Sequence, residues 1–580
     1  MAGDAMAARE GVRKSTVEAI HMHQSVDPSR WCVSRADLQA LQRQVANAIQ
    51  EGWLPGKESS SDESSPDSLE EEAEEEEFGP SIYTVNEHYI KPVTLRAGKM
   101  SWALMMHPEG LNCDVFVSHA WQEGIFEFLY KVFWSWPPRA RHAWCCMLAN
   151  PQHLNIGSML LSPKTSPFAL ALQASRYVLV VPNRHRSVYT RLWCGYEAYV
   201  AAEKSKTIRI ACQPHLHRVR WSLALTLVPL FLGIFVGLFG LWKELDMRFG
   251  AVVMSLASLA SANMKQNRCW MVSNYIGLFA SACIATIWIP LHKNDVLEHF
   301  FEVKAQLATM YEAALWFSAI LFFFFAELDR IRSRNITSEG QQLRKDYQGS
   351  IRYASCSEPS DMRNIWEEIG SNVADVDRAI SVLISAGTSS PALRSCAQRG
   401  IQIAGAAHAE LAVCVVFLGP MLVVAFSQVI IISWHRSTYK PCLVIEAIGV
   451  LARFLFLVLF YLRPADERCF MLKVLTKLIT WVLFPTALTV GILAGLEKTE
   501  DPVGLSLLMA LAIAARNEGT ELLSLFHATF ICFHSTFVVA AIIAWMGIEG
   551  MLALPGGPCL LQCFLSRPAV CCCDSRVVDE

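Results

Sequence analysis

The run WSLALTLVPLFLGIFVGLFGLW, residues 221–242, constrains this chain more than any other stretch. It carries no charge, and about 20 consecutive apolar residues suffice for a helix to cross the hydrocarbon of a bilayer. Similar runs follow at 270–291, 307–326 (with Glu312 inside), 411–433, 441–462, 478–496 and 522–546. Two shorter runs, 249–264 and 503–515, bring the expected number of spans to between seven and nine. A helix over 249–264 reaches only about 24 Å, short of the hydrocarbon thickness of about 30 Å. Composition agrees. Hydrophobic residues make up 53% and charged residues 18%, and mean hydropathy is +0.30, too apolar for an ordinary soluble protein. The net charge of −3 sets up no global field for nucleic acid. The lipid bilayer is the expected partner, and nucleic acid is not.

Charge sets the orientation. MAGDAMAAREGVRKSTVEAI has no apolar core of secretory-signal length. His215, His217, Arg218 and Arg220 precede the first apolar run, which favours a cytosolic N-terminal region in an integral multi-pass protein. The polar segment 327–400 lies inside if 249–264 crosses, as its arginines favour, and outside if it does not. The sequon Asn335-Ile336-Thr337 reports which.

Composition divides the chain into seven segments. Residues 1–56 are mildly helical: Leu38, Leu41, Val45 and Ile49 recur at helical spacing behind Ser34, a capping residue. Residues 57–80, KESSSDESSPDSLEEEAEEEEFGP, cannot bury enough surface to fold and read as a disordered acidic linker. Residues 81–217 regain globular character. A first transmembrane group, 218–326, leads into a soluble helical insert, 327–400. A second group, 401–548, ends in a Cys-rich tail, 549–580. The 19 cysteines are scattered, without a C-x-x-C pair and matching histidines, so neither a disulfide framework nor a metal site is expected, and no cofactor is implied. Cys571, Cys572 and Cys573 suit S-acylation in a cytosolic tail, or stay free thiols. Glu446 with Arg453, and His527 with His534, share helix faces inside apolar runs; function and helix–helix pairing both remain open for them.

Within 81–217, strands and helices alternate. NCDVFVSHAW holds an apolar strand at Val115–Val117, HAWCCML is a second candidate, RYVLVVP a fully apolar third and TIRIAC a fourth. GIFEFLYKVFWSW, SPFALALQAS (opened by Pro167) and RLWCGYEAYVAAEK read as helices between them. This alternation predicts an α/β doubly wound parallel sheet, beside an all-α polytopic membrane domain. Ligands of such sheets bind outside the carboxyl ends of the strands. SHAW and the start of RLWCGYEAYV both follow strands and fall at that edge.

Three blocks in this order resemble the TIR (Toll/interleukin-1 receptor homology) family, whose fold is flavodoxin-like. CDVFVSHAW is similar to its first strand, SPFALALQASRYVLVVP to a later helix and strand, and RLWCGYEAYV to its Trp-Cys-x-x-Glu helix. The resemblance covers about residues 111–212, and with the multi-pass tail the chain resembles TIR-like membrane proteins of unicellular algae. It implies a signalling module that self-associates. In members that cleave NAD at the nicotinamide–ribose bond it also implies a catalytic glutamate, which maps onto Glu197. NAD is then a substrate. A carboxylate suits an oxocarbenium-like transition state. Ser118, His119, Trp121 and Trp193 are the expected substrate-binding residues, Trp193 one turn before Glu197 and so able to face the same cleft. Besides a TIR-type NAD glycohydrolase, two other readings stand: a non-enzymatic adaptor or receptor, and a channel or transporter regulated by its soluble domain.

Overall fold

The computed structural model describes residues 16–54, 78–154, 157–213, 216–239, 257, 268–298, 303–403, 440–463, 467, 470–471, 473–475, 477–478 and 538–565. Contacts group the chain into two compact units: Met1–Pro214 with Asn335–Arg399, and His215–Arg334 with Gly400–Glu580. Composition had separated the N-terminal segment and the 327–400 insert from the α/β region. Side-chain packing joins them, because both supply strands to one sheet and apolar residues to one core.

The first unit holds a six-stranded sheet in the order β1-β3-β2-β4-β5-β6. The strands are β1 (Val33–Ser34), β2 (Val115–Ser118), β3 (His142–Cys145), β4 (Tyr177–Val180), β5 (Ile208–Ile210) and β6 (Thr388–Ser389). β2 pairs in parallel with β3 and β4, and β4 with β5. β2 and β4 are buried almost throughout, as strands covered on both faces must be. The sheet is mixed rather than purely parallel: β1 and β6 run antiparallel at its two edges. Each of these is two residues long, too short to show a period in sequence. HAWCCML is a strand only as far as Cys145; a helical turn, Cys146–Ala149, follows.

Local chemistry accounts for the helices. Helix α1 (Arg35–Gln50) starts in a capping box, the Ser34 hydroxyl accepting from Asp37 N while the Asp37 carboxylate accepts from Ser34 N. It buries Leu38, Leu41 and Val45. Helix α2 (Ile125–Ser135) follows β2. Helix α3 (Pro167–Ala174) has proline at its first position and the Ser166 hydroxyl as cap. Helix α4 (Leu192–Glu203) lies between β4 and β5. Phe116 stacks on Trp144 at 5.2 Å across β2 and β3, a pair worth about 1 kcal/mol beyond its area.

In the second unit, helices α5 (Leu216–Leu238) and α6 (Arg268–Glu298) contain stretches long and apolar enough to cross a membrane, Val219–Leu238 and Cys269–Thr286. A pair bent by 120°, Val538–Ala553 and Gly557–Leu565, meets that criterion only as a whole. Gly233 and Gly237 let α5 approach α6: a Cβ on either would lie 2.5 Å from Phe279 O or 2.8 Å from Cys283 O. Helix α7 (Val303–Arg344) passes from this unit into the first, to which its residues from Asn335 onward belong. Its Glu327 and Arg330 are buried together with Ser222 of α5, Arg330 Nε donating to Glu327 at 2.8 Å. Arg453 is buried on the helix Lys440–Leu462. His527, His534, Cys571, Cys572 and Cys573 lie outside the described residues, as do nearly all of 249–264 and all of 503–515.

Candidate functional site

Number the four parallel strands by sequence, and their order across the sheet is second, first, third, fourth. The chain therefore reverses direction between β2 and β4. Crossovers leaving these strands diverge there and open a crevice beyond their carboxyl ends. Ser118 ends β2 and His119 follows it; Cys146 follows β3; Glu197 is on α4, after β4.

Glu197 is 7% exposed. Burial raises its carboxyl to about 7, opposed by the Ser118 hydroxyl and by the positive charge of Arg191. Glu197 Oε2 and Ser118 Oγ are both buried without a well-formed hydrogen bond. Helix α4 explains the placement. Its Cys194–Glu197 side turns to the end of β2, with the Cys194 sulfur 3.9 Å from His119 O. Its aromatic side turns away: Trp193 stacks on Phe168 and donates to Asp361 Oδ2 at 3.2 Å, and Tyr196 donates to Glu368 Oε1 at 2.8 Å. Asp361 and Glu368 belong to helix α8 (Pro359–Ile369), in the segment that sequence treated as a separate insert. Gly195 admits this bracing, since a Cβ there would lie 3.0 Å from Ile351.

Of the predicted residues, Ser118, His119 and Glu197 come together. His119 is buried, and desolvation holds its imidazole down to about 3, so it is neutral. Its Nε2 lies 3.3 Å from the Cys146 sulfur and its Nδ1 lies 3.3 Å from Glu123 Oε1. Trp121 joins the group through its indole N–H, 3.1 Å from the same sulfur, and its ring leans on Tyr83 at 5.5 Å. Trp193 does not share this crevice. The turn 150–154 packs on the segment 86–91: Asn86 donates to Gln152 at 3.4 Å, and His153 Nε2 lies 2.7 Å from Lys91 O.

Sequence reasoning missed three contributors, Arg191, Tyr83 and Asn86. Arg191 stands at the N-cap of α4, and its charge acts on Glu197, Cys146, Cys194 and His119. It heads the block RLWCGYE, so an arginine nearly two turns before a candidate carboxylate was a usable signal. Tyr83 and Asn86 had none, while Asn150 opens the loop 150–155 that sequence expected to cover the site. Asn86 Oδ1 and Asn150 Oδ1 are also buried without a hydrogen bond. Buried polar atoms without partners are rare in folded proteins, and each calls for an explanation. Among those of the described residues, Ser118 Oγ and Glu197 Oε2 face each other at the end of β2. The arrangement offers carbonyl and carboxylate acceptors, one guanidinium and two aromatic rings. A ligand with hydroxyl donors, an anionic group and a flat ring fits that set.

No family model matches this chain, and no curated protein or solved structure matches it either.

Proposed function

We propose that the first unit is a TIR-like domain that binds NAD beyond the carboxyl ends of β2 and β4 and cleaves its nicotinamide–ribose bond at Glu197. The observation that carries this reading is the buried Glu197 carboxyl facing the Ser118 hydroxyl at the strand-order reversal, neither Oε2 nor Oγ in a well-formed hydrogen bond. The flavodoxin-like order of the parallel strands supports it. Nicotinamide leaves as a neutral ring from a cationic one, so no general acid is required. The ribosyl carbon gains positive charge as that bond breaks, and an ionised Glu197 stabilises it. Water then attacks: NAD and water give nicotinamide, ADP-ribose and a proton. Arg191 suits the pyrophosphate and Tyr83 with Trp121 a flat base, while Asn86 and Asn150 accept from ribose hydroxyls.

The chain is read as an integral multi-pass membrane protein with this domain in the cytosol. Residues 335–399 complete the sheet that the N-terminal region begins, since β6 pairs with β5. This pairing supports a reading in which both segments share one side of the bilayer and 215–334 crosses an even number of times. The sequence supplies four runs there, 221–242, 249–264, 270–291 and 307–326, so the short run is counted as a span.

The test is nicotinamide release by the purified full-length chain in lipid nanodiscs, under conditions that cluster it. Glu197→Gln should lower turnover about a hundredfold or more. Turnover that survives the substitution rejects Glu197. A second reading, self-association without cleavage, draws on the near-complete burial of Glu197; a wild type that clusters without turnover would favour it.

A further inference from the structure

Lys131 of α2 is buried, yet its ammonium is fully used. It pairs with Glu127 Oε1 at 2.9 Å and Glu339 Oε2 at 2.8 Å, and donates to Pro182 O at 2.9 Å and Gln342 Oε1 at 3.0 Å. Glu127 and Glu339 are buried as well. Two of these partners, Glu339 and Gln342, lie in the last turns of α7. Pro182 opens the loop that follows β4. That loop is fastened to the same end of α7 three more times. The Ser187 hydroxyl donates to Leu343 O, Ser187 N donates to Lys345 O at 3.0 Å, and Lys345 Nζ donates to Arg184 O at 3.1 Å.

The fastened loop runs straight into the site. Ser187 caps the 3-10 turn Val188–Thr190. Thr190 O accepts from Ser355 N, and Ser355 O accepts from Leu192 N, both at 2.8 Å. Arg191 and α4, with Glu197, come next. Nine residues separate Ser187 from Glu197, and the intervening backbone is pinned. Lys131 also bears on the other wall: Glu123, fully buried and 3.3 Å from His119, feels the charge of Lys131. Isolated buried ion pairs seldom add much stability over apolar packing, and their best-attested use is to fix register. The register fixed here is that of a helix whose other end begins at Val303, before the apolar run 307–326.

We propose that the end of α7, from Glu339 to Lys345, is a lever. It holds the 182–187 loop through Lys131 and Ser187, so that rotation or displacement of α7 repositions Arg191 and Glu197. This lever regulates the NAD site proposed above, and its consequence for cleavage rests on that reading. Its physical content, coupling of α7 to α4, does not depend on catalysis.

The experiment is amide hydrogen exchange on the full-length chain in nanodiscs, which needs no substrate or turnover. One alanine inserted between Arg334 and Asn335 turns everything downstream by about 100° relative to the helix upstream. Exchange over 182–197 should accelerate about tenfold, with the β2 and β4 amides unchanged. In a Ser187→Ala, Lys131→Met background, which keeps only the Ser187 N–H and Lys345 ammonium bonds, the insertion should add less over 182–197 than it does in the wild type. The isosteric Glu339→Gln, which leaves the helix length intact, should by itself accelerate exchange over 182–187. Unchanged exchange after both the insertion and Glu339→Gln would overturn the lever. So would an acceleration shared equally by the β2 and β4 amides, or one equally large in the double-variant background. A chain that cleaves no NAD but shows the expected exchange pattern keeps the lever and loses the catalytic reading.

Discussion

His119 Nε2 lies 3.3 Å from the sulfur of Cys146, yet the pair is neutral. Desolvation pushes the thiol up to about 12, against the Trp121 indole N–H that lowers it, and holds the imidazole down to about 3. An activated thiol needs the opposite: a thiolate held by a cation. Cys146 is therefore a packed neighbour of the site and not its nucleophile. Its alkylation by iodoacetamide at pH 8 should be at least about a hundredfold slower than that of a free thiol. A rate equal to that of a free thiol would contradict the neutral pair.

Glu197 gives a pH signature with a definite sign. Burial raises its folded-state carboxyl from the ordinary 4.5 to about 7. The unfolded chain thus releases this proton earlier, and the contribution of Glu197 to stability is complete below about 4.5 and lost as pH rises through about 7. A shift of this size corresponds to about 3 kcal/mol at most. Glu197→Gln, neutral at every pH, should gain stability relative to wild type between pH 5 and pH 8. Denaturant unfolding at the two pH values measures it. A difference that does not change with pH would show that Glu197 ionises freely in the folded state. His119 acts in the other direction, since its lowered imidazole costs stability as pH falls below about 6.5.

Trp193 and Asp361 should be coupled to each other and uncoupled from substrate. Their hydrogen bond of 3.2 Å joins α4 to α8. A double-mutant cycle with Trp193→Phe and Asp361→Ala should give a coupling of about 1 kcal/mol in unfolding free energy. KM for NAD should stay within about twofold of wild type in Trp193→Phe, where only uniform binding would alter it. A large rise in KM with no coupling to Asp361 would return Trp193 to the site.

The sequon Asn335-Ile336-Thr337 should carry no glycan. Asn335 is buried in α7 and belongs to the unit that holds β2–β5. Expression in a glycosylating host, followed by endoglycosidase digestion, should produce no mobility shift. A shift would place residues 335–399 in the lumen, and with them the sheet that β6 completes, and would overturn the cytosolic placement.

The parts of the fold written in local pattern were legible. Val115–Val117 and RYVLVVP announced buried strands, Pro167 opened a helix, and Ser34 capped one. What escaped was long-range. Thr388 and Ser389 carry no strand signal, and only the facing backbone of β5 makes them a strand. The bracing of Trp193 by Asp361 was hidden for the same reason, because the two lie 168 residues apart. Helical spacing put Trp193 and Glu197 on one side of α4, but it said nothing about which neighbour each would meet. The glycine pair Gly233 and Gly237, spaced for close helix approach, was in plain view in the first apolar run and went unused.

The pairing of β6 with β5 also sets an order of events during synthesis. Thr388 and its partner Ile208 are 180 residues apart, so at about 5–20 residues per second the ribosome delivers β6 about 10–40 s after β5. Throughout that interval the outer edge of β5 is an open template for unwanted strand pairing. It closes only when residues 335–399, which carry β6, have been made and have joined the sheet. A molecule in which residues 335–399 fail to reach β5 never completes its sheet and keeps that edge open to wrong partners.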